Sequence, residues 1–91
     1  MNEAELQKKC ISHAKSVGVY TINMIIDGHG NKGVPDLILC LNGDFVAVEL
    51  KVGKNEPSNA QKIQMKRIRK SGGKTYVIRS LKEFKKLLGG N

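Results

Sequence analysis

Asp36 and the triplet Glu49-Leu50-Lys51 are the residues best placed to do chemistry, because the stretch between them folds the two acids together. Residues 35–41 read as a strand, Asn42-Gly43 as a two-residue type I′ turn, and residues 44–52 as the return strand. With Asn42 and Gly43 at the turn, Leu41 pairs with Asp44, and counting outward sets Asp36 opposite Glu49. Directly paired side chains have Cβ atoms about 4.5–5.5 Å apart, a distance at which like charges destabilise a hairpin. Lys51, two residues on, projects from the same face as Glu49. Two carboxylates pressed together beside a lysine, on an otherwise apolar hairpin, form an arrangement that calls for a divalent cation.

The rest of the chain has to hold that hairpin. Residues 3–17 have the apolar stripe of a helix (Leu6, Cys10, Ala14, Val17), with Asn2 as N-cap and Gly18 as stop. Residues 20–26 are an apolar, β-branched run and predict a first strand, followed by a glycine-rich polar loop over 27–33. Both hairpin faces are apolar, with Leu37, Leu39, Leu41, Val46, Val48 and Leu50 on one and Ile38, Cys40, Phe45 and Ala47 on the other. A sheet apolar on both sides calls for cover on both sides, an α/β sandwich. After a turn over 53–57, residues 58–70 read as a basic helix, 75–78 as a last strand and 80–88 as a last helix. The order is α-β-β-β-α-β-α around a mixed sheet of about four strands. The last strand is expected parallel to the second hairpin strand through a helical crossover.

The 91 residues fit one small domain over 1–91 with a single modest core. Lys and Arg outnumber Asp and Glu by 16 to 8, and a net charge of +8 on so small a chain favours a polyanionic partner. The charged N-terminus and the lack of a long apolar run speak against a signal peptide or membrane span. Cys10 and Cys40 lack partners at metal-ligand spacing, and both are expected as buried, reduced hydrophobes in the cytoplasm.

Gly33-Val34-Pro35-Asp36-Leu37, then Glu49-Leu50-Lys51 with twelve residues between the two acids, resembles the active-site signature of the PD-(D/E)XK nuclease superfamily. The Gly-Val-Pro-Asp lead-in is most similar to the virus-type replication-repair nuclease (VRR-NUC) family, and the resemblance runs from Glu5 to about Arg79. It implies a restriction-endonuclease-like core and a metal-dependent phosphodiesterase. Asp36, Glu49 and the backbone carbonyl of Leu50 would hold the cation, Mg²⁺ or Mn²⁺, with Glu5 as a possible further ligand. Lys51 would orient the attacking water, and Gln61, at the start of the basic helix, would hold that water or a phosphate oxygen. The family further implies a homodimer acting on branched DNA, in the manner of a Holliday-junction resolvase, in replication, recombination or repair and often in viruses of bacteria. Lys32, Lys62, Lys66, Arg67 and Arg69 are the expected DNA contacts, with Lys70 beside them.

Plainer readings compete at several of these residues. Ser58 and Gln61 spell a capping box, as do Ser80 and Glu83, and Asn2 with Glu5 resembles one. The basic residues could be an ordinary solvated helix face. His29 between two glycines reads as a loop residue near DNA rather than a metal ligand. A non-catalytic DNA-binding module would explain the charge equally well but not the facing acids, and an exonuclease or nonspecific nuclease would share the metal chemistry. The first helix and the glycine-rich loop are the sequence's candidates for a dimer surface.

Overall fold

The computed structural model describes residues 1–24 and 32–89. Its elements follow the expected order: α1 Glu3–Ser16, β1 Tyr20–Asn23, β2 Leu37–Leu41, β3 Asp44–Leu50, α2 Asn59–Lys70, β4 Lys74–Ile78 and α3 Leu81–Leu87. The four strands form one sheet in the order β1-β2-β3-β4. The first two pairings are antiparallel, and β3 pairs parallel with β4 through the α2 crossover. Residues Ile25 and Ile26 of the expected first strand, and residues 27–31 of the glycine-rich loop with His29, lie outside the described residues.

The hairpin has the register that the turn demands. Asn42 and Gly43 both adopt positive φ (54° and 85°), as a type I′ turn requires. The ladder runs from Leu41↔Asp44 to Leu37↔Val48. Both strands are shorter than expected at the end away from the turn. Pro35 has no N–H to donate, and there the Asp36 side chain, rather than a backbone carbonyl, accepts the N–H of Leu50 at 2.7 Å. On the other side of β3, the N–H of Lys51 donates to the carbonyl of Ile78 (3.1 Å).

The two faces of the sheet are treated unequally. On the inner face, Leu37, Leu39, Val46, Val48 and Leu50 are buried against Leu6, Cys10 and Ala14 of α1 and Phe84 of α3. Each such side chain contributes about 1.5–3 kcal/mol of burial, and truncating Leu37 to alanine would cost about 2–5 kcal/mol. Among the described residues the outer face is covered by α2 alone, which packs toward β4 with its own Met65 buried and Ala47 sheltered. The β1–β2 half of that face stays open, with Tyr20, Ile22, Cys40 and Phe45 exposed. Helices lie on both faces, as an α/β sandwich requires; the open half corrects only the extent of the cover, since a single 12-residue helix running along one end cannot span four strands. It also corrects Cys40, which is exposed, whereas Cys10 is buried as expected and its thiol is pushed up to about 11 by desolvation.

Candidate active site

The site forms where the ladder of β2 and β3 ends. Glu49 is the one buried charged residue among those described, with 1% of its surface exposed. It points to the outer face, under the first turn of α2. Gln61 donates its Nε2 to Glu49 Oε1 at 3.0 Å. Glu49 Oε2 is buried with no partner, and an unsatisfied buried carboxylate oxygen is costly. Its pKa is pushed up to about 8, first by desolvation and then by hydrogen bonding to and repulsion from Asp36, while Lys51 pulls the other way.

Asp36 is fixed from two directions. Its carboxylate accepts the Leu50 N–H, and its carbonyl accepts the N–H of Met24 at 2.9 Å. The hydrogen bond to Leu50 ties Asp36 to the residue whose carbonyl the sequence assigned to the cation. Gly33, three residues earlier, presses the lead-in against α2. Its φ is +80°, and a Cβ there would lie 2.4 Å from the carbonyl carbon and oxygen of Ala60 and 2.7 Å from the nitrogen of Gln61. Only glycine permits both that backbone and that approach. In the sequence Gly33 closes the glycine-rich loop and opens the Gly-Val-Pro-Asp lead-in; in the fold it is the close contact with the start of α2 that brings Asp36 and Gln61 to one place.

Gln61 fills its capping role and reaches the site as well. Ser58 Oγ accepts the Gln61 N–H (3.2 Å), and Gln61 Oε1 accepts the Ser58 N–H (2.8 Å). Because Ser58 supplies a donor, the amide oxygen must face it, which turns the amide nitrogen toward Glu49. The amide nitrogen is thereby directed at Glu49 Oε1.

The first helix brings two acids, Glu3 and Glu5, in its first turn. The N–H of Glu5 is capped by Asn2 (2.8 Å) and its side chain is exposed. Glu3, three residues before Leu6 and so on the buried stripe of α1, is the α1 acid whose charge acts on Glu49. Extending the stripe Leu6-Cys10-Ala14 backward by one step would have found it. Arg79 was also missed. Its guanidinium donates to the carbonyls of Gly53 (3.1 Å) and Asn55 (2.7 Å) and pairs with Glu56 (2.9 Å), clamping the segment that leaves Lys51. No local pattern announces a contact across 23–26 positions of chain.

The basic residues are divided. Lys62, Lys66 and Arg69 share one flank of α2 by helical spacing, with Lys62 next to the site. Arg69 is also bound to Thr75 Oγ1 at 2.7 Å. Arg67 instead lines a groove with Phe45 and Ile68, and Lys70 is exposed at the far end of the helix. Lys32 is exposed, its carbonyl accepting from Gln64 (3.4 Å).

The donor set suits a hard cation: two carboxylates, one with an unpartnered buried oxygen, and the Leu50 carbonyl nearby. Among the described residues no cluster of three or more Asp, Glu, His or Cys converges. No described helix is long and apolar enough to cross a membrane.

No family model matches the chain, and no curated protein matches it in sequence. Solved structures do match. A VRR_NUC domain is 28% identical with a TM-score of 0.78, over 96% of this chain and 94% of that one. A VRR_NUC domain protein (18% identical, TM-score 0.82) aligns with 98% of this chain and 86% of its own. Archaeoglobus fulgidus Hjc, a Holliday junction resolvase, is 18% identical with a TM-score of 0.65, over 85% of this chain and 67% of that one. The resemblance to the VRR-NUC family and the restriction-endonuclease-like α/β fold are both borne out by these likenesses.

Proposed function

We propose that this chain is a single-domain, Mg²⁺- or Mn²⁺-dependent endonuclease that hydrolyses phosphodiester bonds in branched DNA. The observation that carries the reading is Glu49: a carboxylate buried beside Asp36, with one oxygen unpartnered, at the point where Lys51 leaves the strand. Such a residue has a poor structural rationale and a good one as a cation ligand. Asp36, Glu49 and the Leu50 carbonyl would hold a divalent cation, which would supply polarisation of the phosphate and a lowered pKa for a bound water.

The chain's own residues do the rest. Lys51 orients the water and offsets charge building on the phosphate oxygens. Gln61 fixes the Glu49 rotamer, so the two acids keep their spacing before substrate arrives. Lys62, Lys66 and Arg69 guide the DNA backbone toward that end of α2. Branched DNA as substrate is supported by likeness to the archaeal Holliday junction resolvase, and the pairing of two copies into a homodimer is what the family resemblance implies. A cytoplasmic location, that of the host if the chain is viral, accords with two free cysteines.

The test is cleavage of labelled four-way junction, flap and linear duplex DNA with Mg²⁺ or Mn²⁺, for wild type, Asp36→Ala and Lys51→Ala, with an EDTA control. Paired nicks on the junction, lost in both variants and in EDTA, are expected. Junction binding with no metal-dependent cleavage of any substrate would leave a DNA-binding module instead.

A further inference from the structure

We infer that the open half of the outer sheet face, centred on Phe45 and Tyr20, is the surface on which a second copy of this chain docks. This deepens the pairing of two copies proposed above by assigning its surface, and it does not depend on the nuclease chemistry.

The sheet register builds the patch. Tyr20 pairs with Cys40 and Cys40 with Phe45, so these three stand in a row across β1, β2 and β3. Ile22 and Ile38 form the next row, which ends on the sheltered Ala47. Tyr20 is 70% exposed, Phe45 52% and Ile22 43%. Together with Cys40 and Ile38 they present about 400 Å² of apolar surface, taking about 150–250 Å² for a whole aromatic side chain. A stable protein interface needs about 800 Å² per partner, a little over half of it apolar. The patch and a polar rim meet that requirement.

The occupant follows from the make-up of the patch. The chain carries 16 Lys and Arg, yet Tyr20, Ile22, Ile38, Cys40 and Phe45 are all uncharged; Arg67 borders them only in the adjoining groove, so the patch itself suits an apolar partner surface and not a polyanion. At its rim Asp44 and Lys74 pair at 2.8 Å, both half-exposed. A two-fold operator that lays the patch on itself can set Asp44 of each copy against Lys74 of the other, so the rim is self-complementary. Phe45 also walls a groove with Ile68 and Gly73 beneath α2, a recess for an aromatic ring from the partner copy. The exposed side of α1, which the sequence offered as a dimer surface, carries Lys8, Lys9, Ser12 and Lys15 and offers no such apolar area.

Phe45, Ala47 and Glu49 alternate along β3 and point to the same side. Phe45 thus lies roughly 13 Å from Glu49 along the strand. Docking through Phe45 therefore keeps the two sites within roughly 30 Å of each other.

The experiment is light scattering coupled to gel filtration over a range of concentrations, without DNA or metal, on wild type, Phe45→Asp and Tyr20→Lys. Thiol labelling runs in parallel: Cys10 is buried and Cys40 lies in the patch, so maleimide reads Cys40. The expected result is a wild-type mass twice the 10.0 kDa of the chain. Both variants should be monomers with wild-type circular dichroism, and Cys40 should label more slowly as wild-type concentration rises. A monomer at every concentration would overturn the inference, as would a dimer that both substitutions leave intact with Cys40 freely labelled. Because mass and labelling are read without substrate, loss of cleavage alone leaves this inference standing, and loss of the dimer leaves the metal site untouched.

Discussion

Replacing Glu49 with glutamine should make the metal-free protein more stable at pH 8, although the residue is proposed to be essential. Burial and the neighbouring Asp36 push the Glu49 carboxyl up to about 8 in the folded chain, against an ordinary value of 4.5. Between those values the folded form holds a proton that the unfolded chain has lost, so stability is highest below about pH 4.5. It falls as pH rises and levels off above about pH 8. At about 1.4 kcal/mol per tenfold difference in proton affinity, the loss is capped at about 5 kcal/mol. Half of that would move Tm by about 10–20 °C in a domain this size. Glutamine is neutral throughout, keeps an oxygen for Gln61 Nε2 and gives Asp36 a donor. Scanning calorimetry in EDTA from pH 5 to pH 8 should show wild-type Tm falling while Glu49→Gln stays flat. The two histidines are common to both proteins and cancel in the difference. Adding Mg²⁺ at pH 8 should restore wild type and leave the variant unmoved, because only the ionised carboxylate offers a charged ligand. Parallel wild-type and variant curves across that range would refute the account of Glu49.

Gly33→Ala forces a Cβ into the backbone of Ala60 at positive φ; it should cost about 1–3 kcal/mol and more than tenfold in cleavage, measured by thermal unfolding beside junction assays. Gln61→Ala removes a helix cap and a hydrogen bond to the ionised Glu49. A stability loss of about 1–2 kcal/mol is expected, and the rising limb of the pH–rate profile should move to higher pH, since the charged form loses support. Arg79→Ala should free the Gly53–Glu56 segment, read as faster proteolytic nicking there with near-native circular dichroism. Lys62→Ala and Lys66→Ala should each lower the slope of log affinity against log salt for DNA by about 1, whereas Arg67→Ala, on the other flank, should leave it unchanged.

Local signals in the sequence determined the hairpin and the element order. Asn42-Gly43 admits the paired positive φ of one turn type, and that turn fixes the register that sets Asp36 against Glu49. Helix caps, glycine stops and apolar periodicity act over a few residues, so they are legible wherever the chain is read. What only the tertiary structure decided involves contacts between distant segments. Gly33 meets Ala60 because the lead-in crosses the start of α2. Gln61 turns to Glu49 because the helix cap holds its oxygen, and Arg79 reaches back to the loop after Lys51. The sequence shows a sheet apolar on both faces, but how far one helix extends across that sheet depends on its angle and on the crossover. That packing left Cys40 and Phe45 open while closing over Glu49. The acids were paired by the turn; their burial, and with it the chemistry, came from the helix laid across them.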